Sequence, residues 1–108
     1  MTSRNEKVAN SIKELAAQFL ERENDRTSLI TVMSAICSPD LKRATIFITV
    51  LPTSKENAAL GFVKRKLGEL REFLKKNMPI KTIPFLDAAI DQGEKNRQKI
   101  DELLRENK

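Results

Sequence analysis

The 108-residue sequence contains no histidine, tryptophan or tyrosine, and its single cysteine is Cys37. Without histidine the chain lacks the commonest general base, the commonest metal ligand and the usual partner of a serine or cysteine nucleophile. One cysteine excludes an internal disulfide framework and fits a reducing compartment. We therefore expect a protein that is not an enzyme and that holds neither a metal nor another cofactor.

Glycine and long apolar runs are also scarce. The three glycines, Gly61, Gly68 and Gly93, form neither a phosphate-binding loop nor a dinucleotide-binding loop. No segment approaches the roughly 20 apolar residues of a membrane span, and no apolar run follows the first charges, so we expect no secretory signal. With 40% hydrophobic and 32% charged residues, the composition indicates one globular domain over residues 1–108. We expect it in the cytoplasm.

Few groups remain that could support other chemistry. Asp87 and Asp91 are spaced i and i+4, and such a carboxylate pair could bind Mg²⁺, although acids that stabilise a helix N-terminus are the simpler account. Cys37 is expected to be a small buried apolar residue. By strand alternation only Phe47 falls on an open sheet face, where a nucleic-acid base could stack, although filling of the sheet edge explains this residue equally well. Binding should thus depend on charge and shape.

Positive charge is concentrated in one segment. Between residues 64 and 81 there are seven basic and two acidic side chains, so this segment accounts for the whole formal net charge of +5. A local positive field attracts polyanions and favours nucleic acid as a partner, whereas the alternative is a solvated helix face with surplus lysine. The basic residues are Lys64, Arg65, Lys66, Arg71, Lys75, Lys76 and Lys81.

The first half of the chain is predicted to form a helix and a β-hairpin. Apolar residues recur at helical spacing from near Arg4 to Phe19. Residues 29–37 and 44–50 are rich in β-branched side chains and form two antiparallel strands joined by a short turn. The alternation in the first strand is imperfect near Ser34, which indicates a bulge.

The second half begins with a long helix. Thr53 and Glu56 have capping-box spacing, and an apolar stripe continues to about Lys76. Gly61 lies inside this stripe, where glycine costs about 1 kcal/mol relative to alanine, so the sequence predicts a kink there.

A third strand over residues 81–90 and a final helix over residues 93–106 complete the order. Pro84 cannot donate a ladder hydrogen bond, so this strand should lie at a sheet edge or begin irregularly. The helical connection from the second to the third strand should cross right-handedly. The predicted fold is α+β, a three-stranded sheet with helices on one face.

Three motifs occur in the order found in a known family. Ser38-Pro39-Asp40-Leu41 separates the hairpin strands, Ala59-Leu60-Gly61-Phe62 lies in the second helix, and Ile83-Pro84-Phe85-Leu86 lies in the third strand. Together with the element order they resemble the ribosome-binding factor A family of bacterial small-subunit assembly factors. The chain departs from the family pattern at Phe85, where an acidic residue is common, and at Gly93, Arg97 and Lys99.

The resemblance implies a type II KH-like fold in which a helix-kink-helix at Ala59–Gly61 replaces the usual nucleotide clamp. It also implies binding to the immature 30S subunit and its 16S rRNA, a part in rRNA processing and cold adaptation, and release after maturation. We accordingly expect a monomer that uses neither DNA nor a membrane.

The candidate RNA-binding surface is a basic ridge on the second helix. Lys64, Arg71 and Lys75 fall at i, i+7 and i+11 beside the apolar stripe, and cations in such a row can follow phosphates without recognising bases. Arg65, Lys66 and Lys76 flank this row.

Three further residues complete the candidate set. Gly61 would let an RNA backbone approach closely, although packing of the helix on the sheet explains a glycine equally well. Lys42 and Arg43 follow the hairpin turn and either add a contact or solvate the loop. Asp40 is expected to cap that turn.

A second class of function stays open. The chain could be a protein-interaction module that docks on a partner protein through its first helix or hairpin without direct RNA binding. A small enzyme using Asp87, Asp91 and Cys37 is a remote third alternative.

Overall fold

A computed structural model describes residues 4–24 and 27–93 of the chain. Three strands form one sheet in the order β1-β2-β3, with β1 antiparallel and β3 parallel to the central β2. This confirms the predicted α+β architecture, and the predicted helix over residues 93–106 lies outside the described residues except for Gly93. The elements are α1 (Arg4–Glu23), β1 (Leu29–Cys37), β2 (Arg43–Leu51), a short 3-10 helix (Thr53–Lys55), α2 (Glu56–Asn77) and β3 (Phe85–Ile90).

The core lies between the sheet and the two helices. Alternate side chains of β2 point into it, and each of these four residues is at most 2% exposed: Ala44, Ile46, Ile48 and Val50. Ile12 of α1 and Leu74 of α2 meet them and are fully buried. Burying one large aliphatic side chain contributes roughly 1.5–3 kcal/mol to the free energy of folding. This buried layer therefore makes a large contribution to the stability of the fold.

A bulge in β1 keeps both ends of that strand facing the core. Val32 pairs with Ile48, and the next paired residue is Ser34, opposite Phe47, so Met33 is the extra residue. The extra residue reverses the side-chain alternation. Val32 before the bulge and Cys37 after it are therefore both buried, and the predicted irregularity near Ser34 is confirmed.

Helix α2 is one continuous α-helix from Glu56 to Asn77 and is not interrupted at Gly61. The predicted capping box is wrong. Thr53 belongs to the preceding 3-10 turn, in which Lys55 N–H donates to the Pro52 carbonyl at 2.9 Å, so no side chain caps α2. The 3-10 turn takes up the first residues of the segment and delays the start of the α-helix.

Strand β3 begins later than predicted, at Phe85 instead of near Lys81. Pro84 has no N–H to donate to β2, so regular pairing starts with the next residue. The Phe85 N–H donates to the Lys42 carbonyl at 2.8 Å. The strand forms one edge of the sheet, as Pro84 indicated.

The hairpin turn is held by the buried hydroxyl of Ser38. That hydroxyl donates to Asp40 Oδ1 at 2.6 Å and accepts the Arg43 N–H at 3.1 Å, while the Lys42 N–H also donates to Asp40 Oδ1. The hydrogen bond from the Ser38 hydroxyl, followed by the one from the Lys42 N–H, holds the pKa of Asp40 below its usual value. Asp40 thus caps the turn, in which Leu41 has a φ of 61°.

Replacing Ser38 by alanine should lower the free energy of unfolding by about 1–3 kcal/mol, because it removes two hydrogen bonds that each contribute roughly 0.5–1.5 kcal/mol. Urea denaturation at neutral pH measures the change, and Ser54→Ala at an exposed position should stay within about 0.5 kcal/mol of the native protein. The Asp40 carboxylate stabilises the turn above its ordinary pKa of 3.8, and this contribution is lost as pH falls through its lowered pKa. Equal urea midpoints for Ser38→Ala and Ser54→Ala would contradict a stabilising role of the Ser38 hydroxyl.

Cys37 is 2% exposed, and burial, followed by the negative charge of Asp40, raises the pKa of its thiol from 9.0 to about 11. Only the thiolate reacts, and a rise of two pKa units leaves roughly 100-fold less thiolate at pH 8. A thiol-specific disulfide reagent should therefore label the folded protein more slowly than the urea-unfolded protein, by roughly tenfold or more, because less of the thiol is ionised. Equal rates would show that Cys37 is accessible.

Candidate nucleic-acid interface

Lys64, Arg71 and Lys75 lie along the side of α2 that borders β3, and we call them the cationic ridge. Lys64 Nζ is 3.8 Å from Asp87 Oδ1 on β3, and Arg71 Nη1 donates to the Pro84 carbonyl at 2.8 Å. Lys75 follows Arg71 by four residues, which places it one turn further along the same side. The spacing in the sequence therefore produces one continuous row.

The two lysines of the cationic ridge are only weakly engaged. About half of each side chain is exposed, 51% for Lys64 and 50% for Lys75. Lys75 Nζ is 3.3 Å from Glu72 Oε2 on its own helix. Exposed ion pairs contribute about 0–1 kcal/mol, so a phosphate can replace these carboxylates at little cost.

Arg71 differs from the lysines because its side chain is half-buried and bonded to the backbone. The guanidinium has five N–H donors, and the bond to the Pro84 carbonyl uses one of them. Arg71 therefore connects α2 to the start of β3 and presents further donors at the same place.

Lys66 lies on the opposite side of α2, toward α1. Its ammonium group is 3.1 Å from Glu69 Oε2 and 3.4 Å from Glu23 Oε1 at the end of α1. The bond to Glu69, followed by the one to Glu23, raises the pKa of Lys66. The structure thus separates this predicted site residue from the cationic ridge and gives it a contact between helices.

Gly61 and Arg65 lie on the outer side of α2. A Cβ built on Gly61 would meet one atom within 4 Å among the described residues, Arg65 Nη1 at 3.3 Å. The sheet therefore does not require a glycine here, which removes the packing explanation. The Arg65 side chain lies over the position at which an RNA backbone was expected to approach. Lys76 is exposed in the last turn of α2.

Lys42 joins the cationic ridge across an open groove between α2 and the start of β3, which we call the α2–β3 groove. Its volume is about 590 Å³, and its lining includes Lys42, Gly68, Arg71, Ile83 and Phe85. The Lys42 carbonyl accepts the Phe85 N–H, so the hairpin loop and β3 are fixed to each other. Arg43 is exposed next to Lys42, and its backbone belongs to the Ser38 turn.

The aromatic candidate, Phe47, is fully buried between Ser34 and Ala89 in the sheet and offers no face for stacking. Phe85 is 71% exposed, and sequence reasoning assigned it no role. Its exposure could have been predicted from its position directly after Pro84, at the start of an edge strand. A large side chain there has neighbours on one side only.

The described residues contain no group of three histidine, cysteine, aspartate or glutamate side chains placed to hold a metal ion. Asp87 contacts Lys64 and its own chain at Ala88, and Asp91 accepts the Gly93 N–H. These two carboxylates therefore have separate partners. In the described part of the chain, no helix is long and apolar enough to cross a membrane.

Residues 4–104 match the sequence model of the family described as ribosome-binding factor A. The chain belongs to the ribosome-binding factor A family. It is 32% identical over 108 residues to the ribosome-binding factor A of Cupriavidus metallidurans, covering 98% of this chain and 87% of that protein. It is 35% identical over 107 residues to that of Clavibacter michiganensis, covering 96% of this chain and 64% of that protein.

Solved structures agree with this family at the level of the fold. The crystal structure of ribosome-binding factor A from Thermus thermophilus superposes with a TM-score of 0.73 at 18% identity, covering 82% of this chain and 97% of that one. An NMR structure of a Thermotoga maritima protein gives 0.71 at 23% identity, covering 86% and 93%. The two helices and mixed three-stranded sheet match these structures and are consistent with the expected KH-like fold.

Proposed function

We propose that the protein is an assembly factor that binds the immature 30S subunit through its 16S rRNA and catalyses no reaction. Membership of the ribosome-binding factor A family supports a ribosomal partner. The observation that carries the proposal is the row of Lys64, Arg71 and Lys75 beside β3, with Lys42 across the α2–β3 groove. Four cations along one edge of the fold match the repeating charge of a phosphate chain.

These cations would position RNA without recognising its sequence. Lysine acts as a mobile point charge, whereas the planar guanidinium of Arg71 can bond two phosphate oxygens at once. Contacts to phosphate fix orientation and register and carry no sequence information directly. Sequence preference would have to come from other contacts at the same edge.

The remaining candidates have a secondary place in the proposal. Lys66 would have to leave Glu23 and Glu69 to reach RNA, which makes it the least suited. Arg65, Lys76 and Arg43 are exposed but lie outside the cationic ridge, and Gly61 is half-buried with the Arg65 side chain over it. We extend the proposal to a monomer acting in the cytoplasm in rRNA processing, including in the cold, and leaving the subunit after maturation.

Replacing Lys42, Lys64 and Lys75 together by alanine should weaken binding to 16S rRNA fragments and reduce its salt dependence. Each phosphate contact contributes roughly 0.7–0.9 to the slope of log affinity against log salt, so the slope should fall by about 2–3. Fluorescence anisotropy over a range of salt concentrations measures both quantities. Arg71 is left in place because its bond to Pro84 also stabilises the fold.

The matched control replaces Lys7, Lys13 and Lys55, three exposed lysines outside the cationic ridge. This control removes the same charge, so it separates the effect of position from the effect of net charge. Equal loss of affinity in the two triple variants, or a flat response to salt in the native protein, would contradict the proposed surface.

A protein partner is the second candidate, and one observation favours it. Leu29 and Leu51 are cross-strand partners at the far end of the hairpin and are 59% and 60% exposed. Met33 at the bulge is 45% exposed. Apolar side chains exposed together mark surfaces that other proteins cover.

Sedimentation of the tagged protein distinguishes the two candidates. The native protein should travel with small subunits or their precursors, and the Lys42/Lys64/Lys75 variant should stay at the top of the gradient because it has lost its phosphate contacts. Replacing Leu29 and Leu51 by serine should leave co-sedimentation unchanged. The reverse pattern would favour docking on a protein.

A further inference from the structure

Phe85 has the highest exposure among the large apolar side chains of the described residues, 71%. The other three that are substantially exposed, Leu29, Met33 and Leu51, lie in β1 and at the end of β2. Phe85 instead borders the α2–β3 groove together with Lys42 and Arg71. An exposed aromatic ring that lines the same groove as two cations suits a ligand that is both flat and anionic.

The backbone around Phe85 is fixed by two hydrogen bonds on consecutive residues. Its own N–H donates to the Lys42 carbonyl at 2.8 Å, and the carbonyl of the preceding, buried Pro84 accepts from Arg71 Nη1 at 2.8 Å. The backbones that carry Phe85 and Lys42 and the guanidinium of Arg71 are therefore held at the same corner of the fold. A site that is already ordered loses little entropy when it binds.

The groove beside the ring has room for one nucleotide. Its volume of about 590 Å³ falls within the roughly 300–1,000 Å³ of small-molecule sites. Gly68 lies in the wall formed by α2, and a Cβ built on it would meet nothing within 4 Å among the described residues. The wall is therefore open where a base would enter.

We propose that Phe85 is a stacking platform for an unpaired base of single-stranded RNA, with Lys42 and Arg71 binding the adjacent phosphates. Bases stack on aromatic side chains when they are free of a duplex, and this contact tolerates any sequence. The inference rests on the proposed function and adds to it the class of RNA recognised, which is unpaired strand in preference to duplex.

The absence of tryptophan and tyrosine from the chain allows a direct test. In F85W the new indole is the single tryptophan, and a stacked base should quench its fluorescence when a single-stranded oligouridine is added. A duplex of the same length should quench it far less at equal occupancy. In the control L29W, the probe lies at another exposed apolar site, and its fluorescence should not change.

Binding measurements on F85A and F85L test the energetic contribution. Affinity of F85A for single-stranded RNA should fall roughly 5- to 150-fold, the range for loss of one aromatic–base stack, while its affinity for duplex RNA stays within twofold, about the noise of such a comparison. F85L keeps an apolar side chain without a ring and should lose nearly as much. L29A should bind as the native protein does.

The outcomes separate this inference from the proposed function. If F85A and F85L bind single-stranded RNA as the native protein does while the Lys42/Lys64/Lys75 variant is weakened, the stacking platform is overturned and RNA binding by the cationic ridge stands. If neither set is weakened, both are overturned. A loss confined to intact 30S subunits, with none on protein-free RNA, would assign Phe85 to a ribosomal protein and overturn the inference.

Discussion

The packing of α2 against β2 and β3 determines where the cationic ridge lies. Val63, Leu70 and Leu74 are each at most 1% exposed, and they fix the rotation of the helix about its axis. Successive residues of an α-helix are 100° apart, so a change of one residue in the buried stripe would move the whole cationic ridge to another face. The apolar stripe thus positions the adjacent row of Lys64, Arg71 and Lys75 beside β3.

The contacts that protect the sheet edge also build the site. An edge strand exposes unpaired backbone groups, and proteins cover such strands or place charges next to them to prevent association. Here Arg71 binds the Pro84 carbonyl and Lys64 pairs with Asp87. Two cations of the cationic ridge therefore contact the edge strand β3 or the residue directly before it. The lysine pair is exposed and weak, so a phosphate could replace the carboxylate at little cost. In the proposed complex the bond from Arg71 to Pro84 would stay in place, because the guanidinium has further donors for a phosphate.

Local patterns predicted the parts of the fold that local chemistry decides. The alternation in β2, the turn at Ser38 and the i, i+7, i+11 row on α2 are properties of one element each. Contacts between elements could not be predicted from spacing alone. Glu23, 43 residues away, holds Lys66 away from the cationic ridge, and Phe47 is fully buried although strand alternation placed it on an open face. The start of β3 at Phe85 depends on which residue is the first to pair with β2. Sequence spacing does not show this pairing, which places the Phe85 side chain where it is exposed.

Charge and stacking contribute differently to a site for immature RNA. Cations bind paired and unpaired strands alike, so the cationic ridge alone would hold a finished subunit as well as a precursor. A ring that stacks on a free base gains affinity only while that nucleotide is unpaired. If Lys42, Arg71 and Phe85 act together, rRNA folding would withdraw the stacked base and leave only the salt-sensitive contacts. The resulting fall in affinity would couple departure of the protein to completion of the RNA structure without a chemical step.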